Sequence, residues 1–270
     1  MNLLHLTAIA KISLCSIILG FASFQDWRTR EISDVVWIVM GGFGATLTTI
    51  ELLTDFSYGF LLMLAASVAT CFFLGFGLYR LGFFGGADAK CLWCIGVTLP
   101  YNPLTSLGLS PVGLQNPIFS ISIFNNSILT AAFLALGIMC FNAVMKTRRH
   151  LFSESEEKSL WKRFVVLALG YKMKISRVLE KKDFYFPLEV FSHENGRVKR
   201  RFKFTARCMD DDPYAELTRL VNAGIVSVDE EIWVSPAIPL IINITVGFLV
   251  SLLYGDLVLS IARAALSLTL

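Results

Sequence analysis

Two aspartates at the rims of apolar stretches carry the chemistry this sequence offers. Asp88 follows Gly85-Gly86-Ala87, where the apolar run from Thr70 to Leu78 gives way to the more apolar run from Ala89 to Leu99. Asp26 stands in Phe24-Gln25-Asp26-Trp27-Arg28, at the edge of another such run. A carboxylate at membrane depth is costly to keep, which makes each a site candidate. The small residues before Asp88 let a second helix or an extended peptide backbone come close to it. At one depth, the two carboxylates can share a proton, one acting as base toward a water and the other as acid, and they titrate as a unit. The bland reading is that each caps a helix or sits in headgroup water. A plain cap, however, needs no run of three small residues.

The elements that must position this pair are apolar helices. The chain has 270 residues, 55% apolar, with 17% charged residues and a mean hydropathy of +0.63, which is outside the range of ordinary soluble domains and marks an integral membrane protein. Six spans are predicted, near the bilayer-crossing length of about 20 residues: Leu6 to Phe24, Val35 to Leu53, Tyr58 to Tyr79, a fourth beginning within Gly85 to Asp88 and ending at Pro100, Ile118 to Met145, and Pro236 to Leu259. The first run lacks a basic segment before it and a small-residue cleavage site after it, so it is read as a retained span rather than a signal peptide. Lys11 within it is expected to snorkel toward the nearer interface.

Eighteen of the 24 Lys and Arg residues lie between Lys146 and Arg219, in a segment that breaks the apolar pattern. There, Ser153-Glu154-Ser155-Glu156 has the composition of a helix start. Alternating runs Phe184 to Phe191 and Val198 to Ala206 flank Asn195-Gly196, a strong hairpin signal. Asp212-Pro213 opens a helix through Val221. The organisation is therefore residues 1–145 with five spans and both Asp, a soluble α+β insert over 146–233, and the last span with the C-terminus over 234–270. The gaps after spans one, three and five hold Arg28, Arg30, Arg80, Lys90 and the basic insert, and those after spans two and four hold no Lys or Arg. The positive-inside rule makes the first set cytoplasmic, with Asp26 and Asp88 at one depth near the cytoplasmic face and both chain ends outside.

Other motifs yield less. Cys91-x-x-Cys94, one helical turn apart with no second pair or nearby His, reads as a core pair, and the six cysteines form no disulfide framework. Asn125-Asn126-Ser127 fits a glycosylation sequon but lies in a span or at its rim. His5, His150 and His193 are scattered, so no metal or organic cofactor is implied. The basic, aromatic stretch Arg197 to Phe204 has the look of a nucleic-acid patch, but contact with anionic lipid heads is the simpler expectation beside a bilayer.

Phe-Gln-Asp ending a first span, followed by basic residues and Ile32-Ser33-Asp34, together with Phe84-Gly85-Gly86-Ala87-Asp88-Ala89-Lys90, resembles the two active-site blocks of the type IV prepilin peptidase family. These are aspartic membrane proteases with a Gly-x-Gly-Asp signature, whose second glycine is Ala87 here. The short first loop without cysteines and the insert before the last span are most similar to the archaeal preflagellin peptidase branch, as is Trp233-Val234-Ser235-Pro236-Ala237-Ile238-Pro239. The resemblance implies an endopeptidase, without methyltransferase activity, that removes a short basic leader from preflagellins or prepilin-like proteins on the cytoplasmic side. It implies Asp26 and Asp88 as the catalytic pair and Gly85, Gly86 and Ala87 as the backbone path for substrate. Asp210-Asp211-Asp212, or Glu31 and Asp34, are candidates to receive the basic leader. Two rival readings are a transporter using the two Asp as ion sites, which would place them near the midplane within repeated halves, and an adaptor acting through the insert alone.

Overall fold

The structure, a computed structural model, describes residues 2–146, 159–194, 197–202, 214–236 and 239–268. In chain order, helices α1 (Leu3–Thr29), α2 (Asp34–Thr54), α3 (Tyr58–Arg80), α4 (Gly86–Thr98) and α5 (Phe119–Lys146) come first. Then follow α6 (Leu160–Leu169), β1 (Tyr171–Lys174), α7 (Ile175–Glu180), β2 (Tyr185–Pro187), β3 (Glu189–Glu194), β4 (Arg197–Phe202), α8 (Ala215–Asn222) and β5 (Glu231–Pro236). The chain closes with α9 (Leu240–Leu253) and α10 (Leu257–Ser267). Two compact units result, Met1–Ala131 with Pro239–Leu270, and Ala132–Ile238.

The first unit is a helical bundle. Among the described residues, four helices are long and apolar enough to cross a membrane, α1, α2, α3 and α5, and the pair α9 and α10 is a fifth candidate if counted as one broken span. Helix α4 packs mainly against α2 and α3. Close approach is what its glycines permit: a Cβ at Gly44 of α2 would run into the Thr98 side chain, and one at Gly96 would come within 2.7 Å of Cys71 Cβ on α3. The core it shares with α1, α2, α5 and α9 includes Cys15, Leu19, Met40, Cys91, Ile95, Ile123 and Phe248.

Buried helices must find partners for their last four carbonyls. In α4 every one is answered. Leu99 N donates to Ile95 O (2.8 Å), Ser67 Oγ to Gly96 O (2.9 Å), and Thr48 Oγ1 to Val97 O (3.0 Å) and Thr98 O (3.4 Å).

Lys11 does not snorkel. It is 2% exposed and its Nζ lies 2.5 Å from Glu51 Oε2, itself 4% exposed, while the Tyr101 hydroxyl donates to the other Glu51 oxygen. A neighbouring carboxylate on α2, not the interface, resolves the buried charge.

The expected last span is also interrupted. Helix α9 ends at Leu253, Gly255 has φ 109°, and α10 leaves at 61°. Asp256, wholly buried, caps α10 by accepting from Leu259 N (3.0 Å) and also accepts from Asn125 Nδ2 (2.9 Å). Asn126 donates to Ser251 Oγ and Gly255 O (2.8 Å each) and accepts from Leu257 N (3.0 Å). The sequon asparagines are thus structural parts of the break.

In the second unit, β5 is the central strand of an antiparallel sheet with order β1-β5-β2. This strand crosses the boundary expected at residues 233 and 234 between the insert and the last-span segment. Its alternation sends Ile232 and Val234 into one cluster, with Ile175, Val178 and Leu217, and Trp233 into another, with Val166, Leu188 and Phe202. The hairpin is present as β3 and β4, paired from Glu189↔Phe202 to Glu194↔Arg197. Its first run divides, because Tyr185–Pro187 pair with β5 instead. Four expectations lie outside the described residues: the Ser153-Glu156 helix start, the Asn195-Gly196 turn, the Asp210-Asp211-Asp212 run with Asp212-Pro213, and Lys203-Phe204 of the basic stretch.

Removing one partner of a buried ion pair strands the other. Lys11→Met is expected to destabilise the bundle by about 3–5 kcal/mol, and adding Glu51→Leu to recover most of that loss. Thermal unfolding in detergent micelles checks this, and a double variant no better than the single would contradict it.

Candidate active site

Asp26 closes the buried stripe of α1. Cys15, Leu19 and Ala22 are buried, and Asp26 continues their spacing of three and four residues to the helix end. One turn earlier, Ser23 Oγ and Thr245 Oγ1 lie 2.7 Å apart, and Thr245 donates to Ile241 O (2.8 Å) and to Leu19 O (3.3 Å). These hydroxyls fix α1 against the start of α9. The Asp26 carboxylate consequently interacts with the backbone amide of Ile241, in the first turn of α9. A helix N-terminus, with free amides and a partial positive charge, suits an anion. The Arg30 guanidinium acts on the same carboxylate. Asp26 Oδ2 is buried and has no hydrogen-bond partner among the described residues.

Asp88 is the third residue of α4, and its position follows from the helix start. Its Oδ2 accepts from the N–H of Gly85, the N-cap residue, at 2.9 Å. This is one half of a capping box, since glycine has no side chain to complete the other half. Ala87 packs on the bundle core, while Gly85 and Gly86 are exposed and a Cβ at Gly86 would meet nothing within 4 Å. Two residues on, Lys90 Nζ pairs with Asp34 Oδ1 of α2 at 2.6 Å, tying the starts of α2 and α4 together.

The two sites are one neighbourhood. Asp26 and Asp88, both half-buried, are close enough for the charge of Asp26 to act on Asp88. Two carboxylates within electrostatic reach, each served by a helix-start amide, can hold one proton between them and divide the roles of base and acid toward a water.

The remaining sequence candidates are distributed differently. Asp34 is exposed and has one carboxylate oxygen paired with Lys90. Glu31 is exposed. Cys91 and Cys94 are buried in the core, where Cys94 Sγ donates to Trp37 O at 3.3 Å. Reading the sequence missed Arg30 and the Ile241 amide. Arg30 stands one helical turn after Asp26, a spacing that signals contact, but the amide belongs to a helix more than two hundred residues away in the chain.

Residues 13–136 match the type IV leader peptidase family, and residues 162–257 match a model described as Archaeal Peptidase A24 C-terminus Type II. The second match ends where α9 gives way to α10. The chain is 31% identical to a preflagellin peptidase of Methanococcus maripaludis (strain C6), over 88% of this chain and 92% of that one. It is 30% identical to a preflagellin peptidase of Methanocaldococcus jannaschii over 89% and 92% of the two chains, and 23% identical to one of Methanococcus voltae over 89% and 93%.

The Gly85 bond to Asp88 separates fold from chemistry. Asp88→Asn keeps an oxygen that accepts from Gly85 and is expected to unfold within about 0.5 kcal/mol of wild type, whereas Asp88→Ala loses the bond at a cost of about 1 kcal/mol. Thermal unfolding followed by tryptophan fluorescence distinguishes the two. Equal losses would mean that the bond does not hold the start of α4.

Proposed function

Because the chain belongs to the type IV leader peptidase family, we propose that Asp26 and Asp88 are the catalytic pair of a membrane aspartic endopeptidase that removes the leader from preflagellins or prepilin-like proteins. The observation that carries this reading is that the two carboxylates lie within electrostatic reach of each other, each beside a helix-start amide. One Asp takes a proton from a water as that water attacks the scissile carbonyl, and the other supplies the shared proton to the carbonyl oxygen or the leaving amine. The exposed Gly85-Gly86 and the small Ala87 leave a path for an extended substrate backbone to reach Asp88, a role supported by the open space at Gly86.

The same reading counts six crossings, with α4 as a short one. At 1.5 Å per residue its 13 residues span about 20 Å, less than the hydrocarbon core of about 30 Å, and its surroundings are other helices rather than lipid. The basic gaps support a cytoplasmic side for Asp26, Asp88 and the insert. The basic strand β4 is suited to anionic lipid heads through Arg201, while Arg200 is taken by Glu230. A transporter reading has no comparable support.

Membranes bearing wild type, Asp26→Asn or Asp88→Asn, supplied with a preflagellin-like substrate, test the proposal through a leader-sized mobility shift. Each variant is expected to lose about 10³-fold or more in cleavage rate while inserting normally. Full activity in either would remove that Asp from the mechanism. Gly86→Val is expected to raise KM through the blocked path without unfolding the protein, and an unchanged KM would take Gly86 off that path.

A further inference from the structure

We propose that a polar cavity at the far end of the bundle from Asp26 and Asp88 binds an alkylammonium group, carried by an aminolipid headgroup or by a soluble amine. The cavity has a volume of about 340 Å³, the size of a small-ligand site, and is lined from the start of α1, the end of α2, the start of α3 and the loop after α4. His5, on its wall, stands in the first turn of α1 and Asp26 in the last, so at 1.5 Å per residue the two places are about 30 Å apart. Glu51 and Tyr101 also line it, and Glu51 is the buried partner of Lys11. A charge pair at membrane depth is a site candidate by default. Packing alone does not ask for one, because apolar residues of similar volume hold such a place about as well.

The hydrogen-bond directions decide what the cavity can take. Lys11 Nζ donates to one Glu51 oxygen, and the Tyr101 hydroxyl spends its single proton on the other. The 3.0 Å contact between Tyr101 and Ser106 must then run from Ser106 to Tyr101, which commits the Ser106 proton as well. Thr105 Oγ1 donates to Asn102 O at 2.7 Å. What Ser106 and Thr105 still offer the cavity is lone pairs. Asp55 adds an exposed carboxylate that no cation among the described residues pairs with. Since Lys11 balances Glu51 and nothing balances Asp55, the cavity is rich in acceptors and carries an excess negative charge. No Lys or Arg lines it among the described residues, so an anionic group finds no partner there. A cation with several N–H donors does. The Phe60 ring, edge to face with Tyr101 at 5.6 Å, adds the aromatic wall that attracts ammonium ions. A divalent metal fits less well, because both Glu51 oxygens are occupied and such ions take about six or more oxygen ligands.

The test follows thermal unfolding of the full-length protein in uncharged detergent micelles titrated with phosphatidylethanolamine, free ethanolamine or phosphatidylglycerol. Phosphatidylethanolamine is expected to give a saturable rise of about 2–5 °C at roughly ten times its half-saturating concentration, and phosphatidylglycerol no saturable rise. An equal rise with free ethanolamine at the same concentration would assign the site to a soluble amine, and a rise that needs the lipid would assign it to a headgroup; both support ammonium recognition. Asp55→Asn, isosteric and on an exposed residue, should fold normally and raise the half-saturating concentration by about 10-fold or more. Asp55→Lys should abolish the response to both amines. No rise with either amine, an equal rise with phosphatidylglycerol, or a rise undiminished in Asp55→Asn would overturn the inference. Leader cleavage is expected to be unchanged in Asp55→Asn, so the inference stands or falls apart from the roles of Asp26 and Asp88.

Discussion

A 13-residue helix enclosed by other helices is costly unless the free backbone groups at its ends find partners. Helix α4 meets that condition at both ends by different means. At its C-terminus, hydroxyls from α2 and α3 and one backbone amide answer the last four carbonyls. At its N-terminus the partner comes from within, as Asp88 accepts from Gly85. The carboxylate that would act on substrate therefore also holds the start of its own helix. Its place is fixed by the packing of α4 through Gly44 and Gly96, and small residues there are a requirement of the site as much as of the fold.

Asp26 is placed by a complementary arrangement. It rides at the end of a long helix, where register matters more than length, and the hydroxyls of Ser23 and Thr245 set that register one turn away. The start of α9 then presents an amide to it. Since α9 follows the second unit in the chain, the pair depends on both parts of the first unit, residues before and after the insert, coming together. The break at Gly255-Asp256 ends α9 after 14 residues and, through Asn125 and Asn126, ties that end to α5.

Much of this was legible in the sequence. The two aspartates stood out because carboxylates interrupting apolar runs are few here, and the expected fourth helix, beginning within Gly85 to Asp88 and ending at Pro100, differs little from Gly86–Thr98. The α+β character of the insert followed from its alternation and its Asn-Gly. What escaped was set by residues far apart in the chain. The partner of Lys11 is forty residues away, and nothing near Lys11 announces it. Gly255-Asp256 was read through because a single aspartate, satisfied by the Asn125 side chain and the Leu259 amide, leaves the surrounding hydropathy high. The boundary between insert and last span was set at residue 233/234, inside what is the strand Glu231–Pro236, because a central strand and a membrane edge share an apolar composition. Arg30 was counted only as a positive charge.

The central claim is that Asp26 and Asp88 already face one another before substrate arrives. It is tested most directly by cross-linking Asp26→Cys to Asp88→Cys in membranes, in a background with the six native cysteines replaced, using short bifunctional thiol reagents without substrate. The account predicts efficient cross-linking of this pair, and none when Asp26→Cys is combined with a cysteine at Ser57, which caps the far end of α3. Cross-linking seen only after substrate is added, or absent altogether, would contradict it.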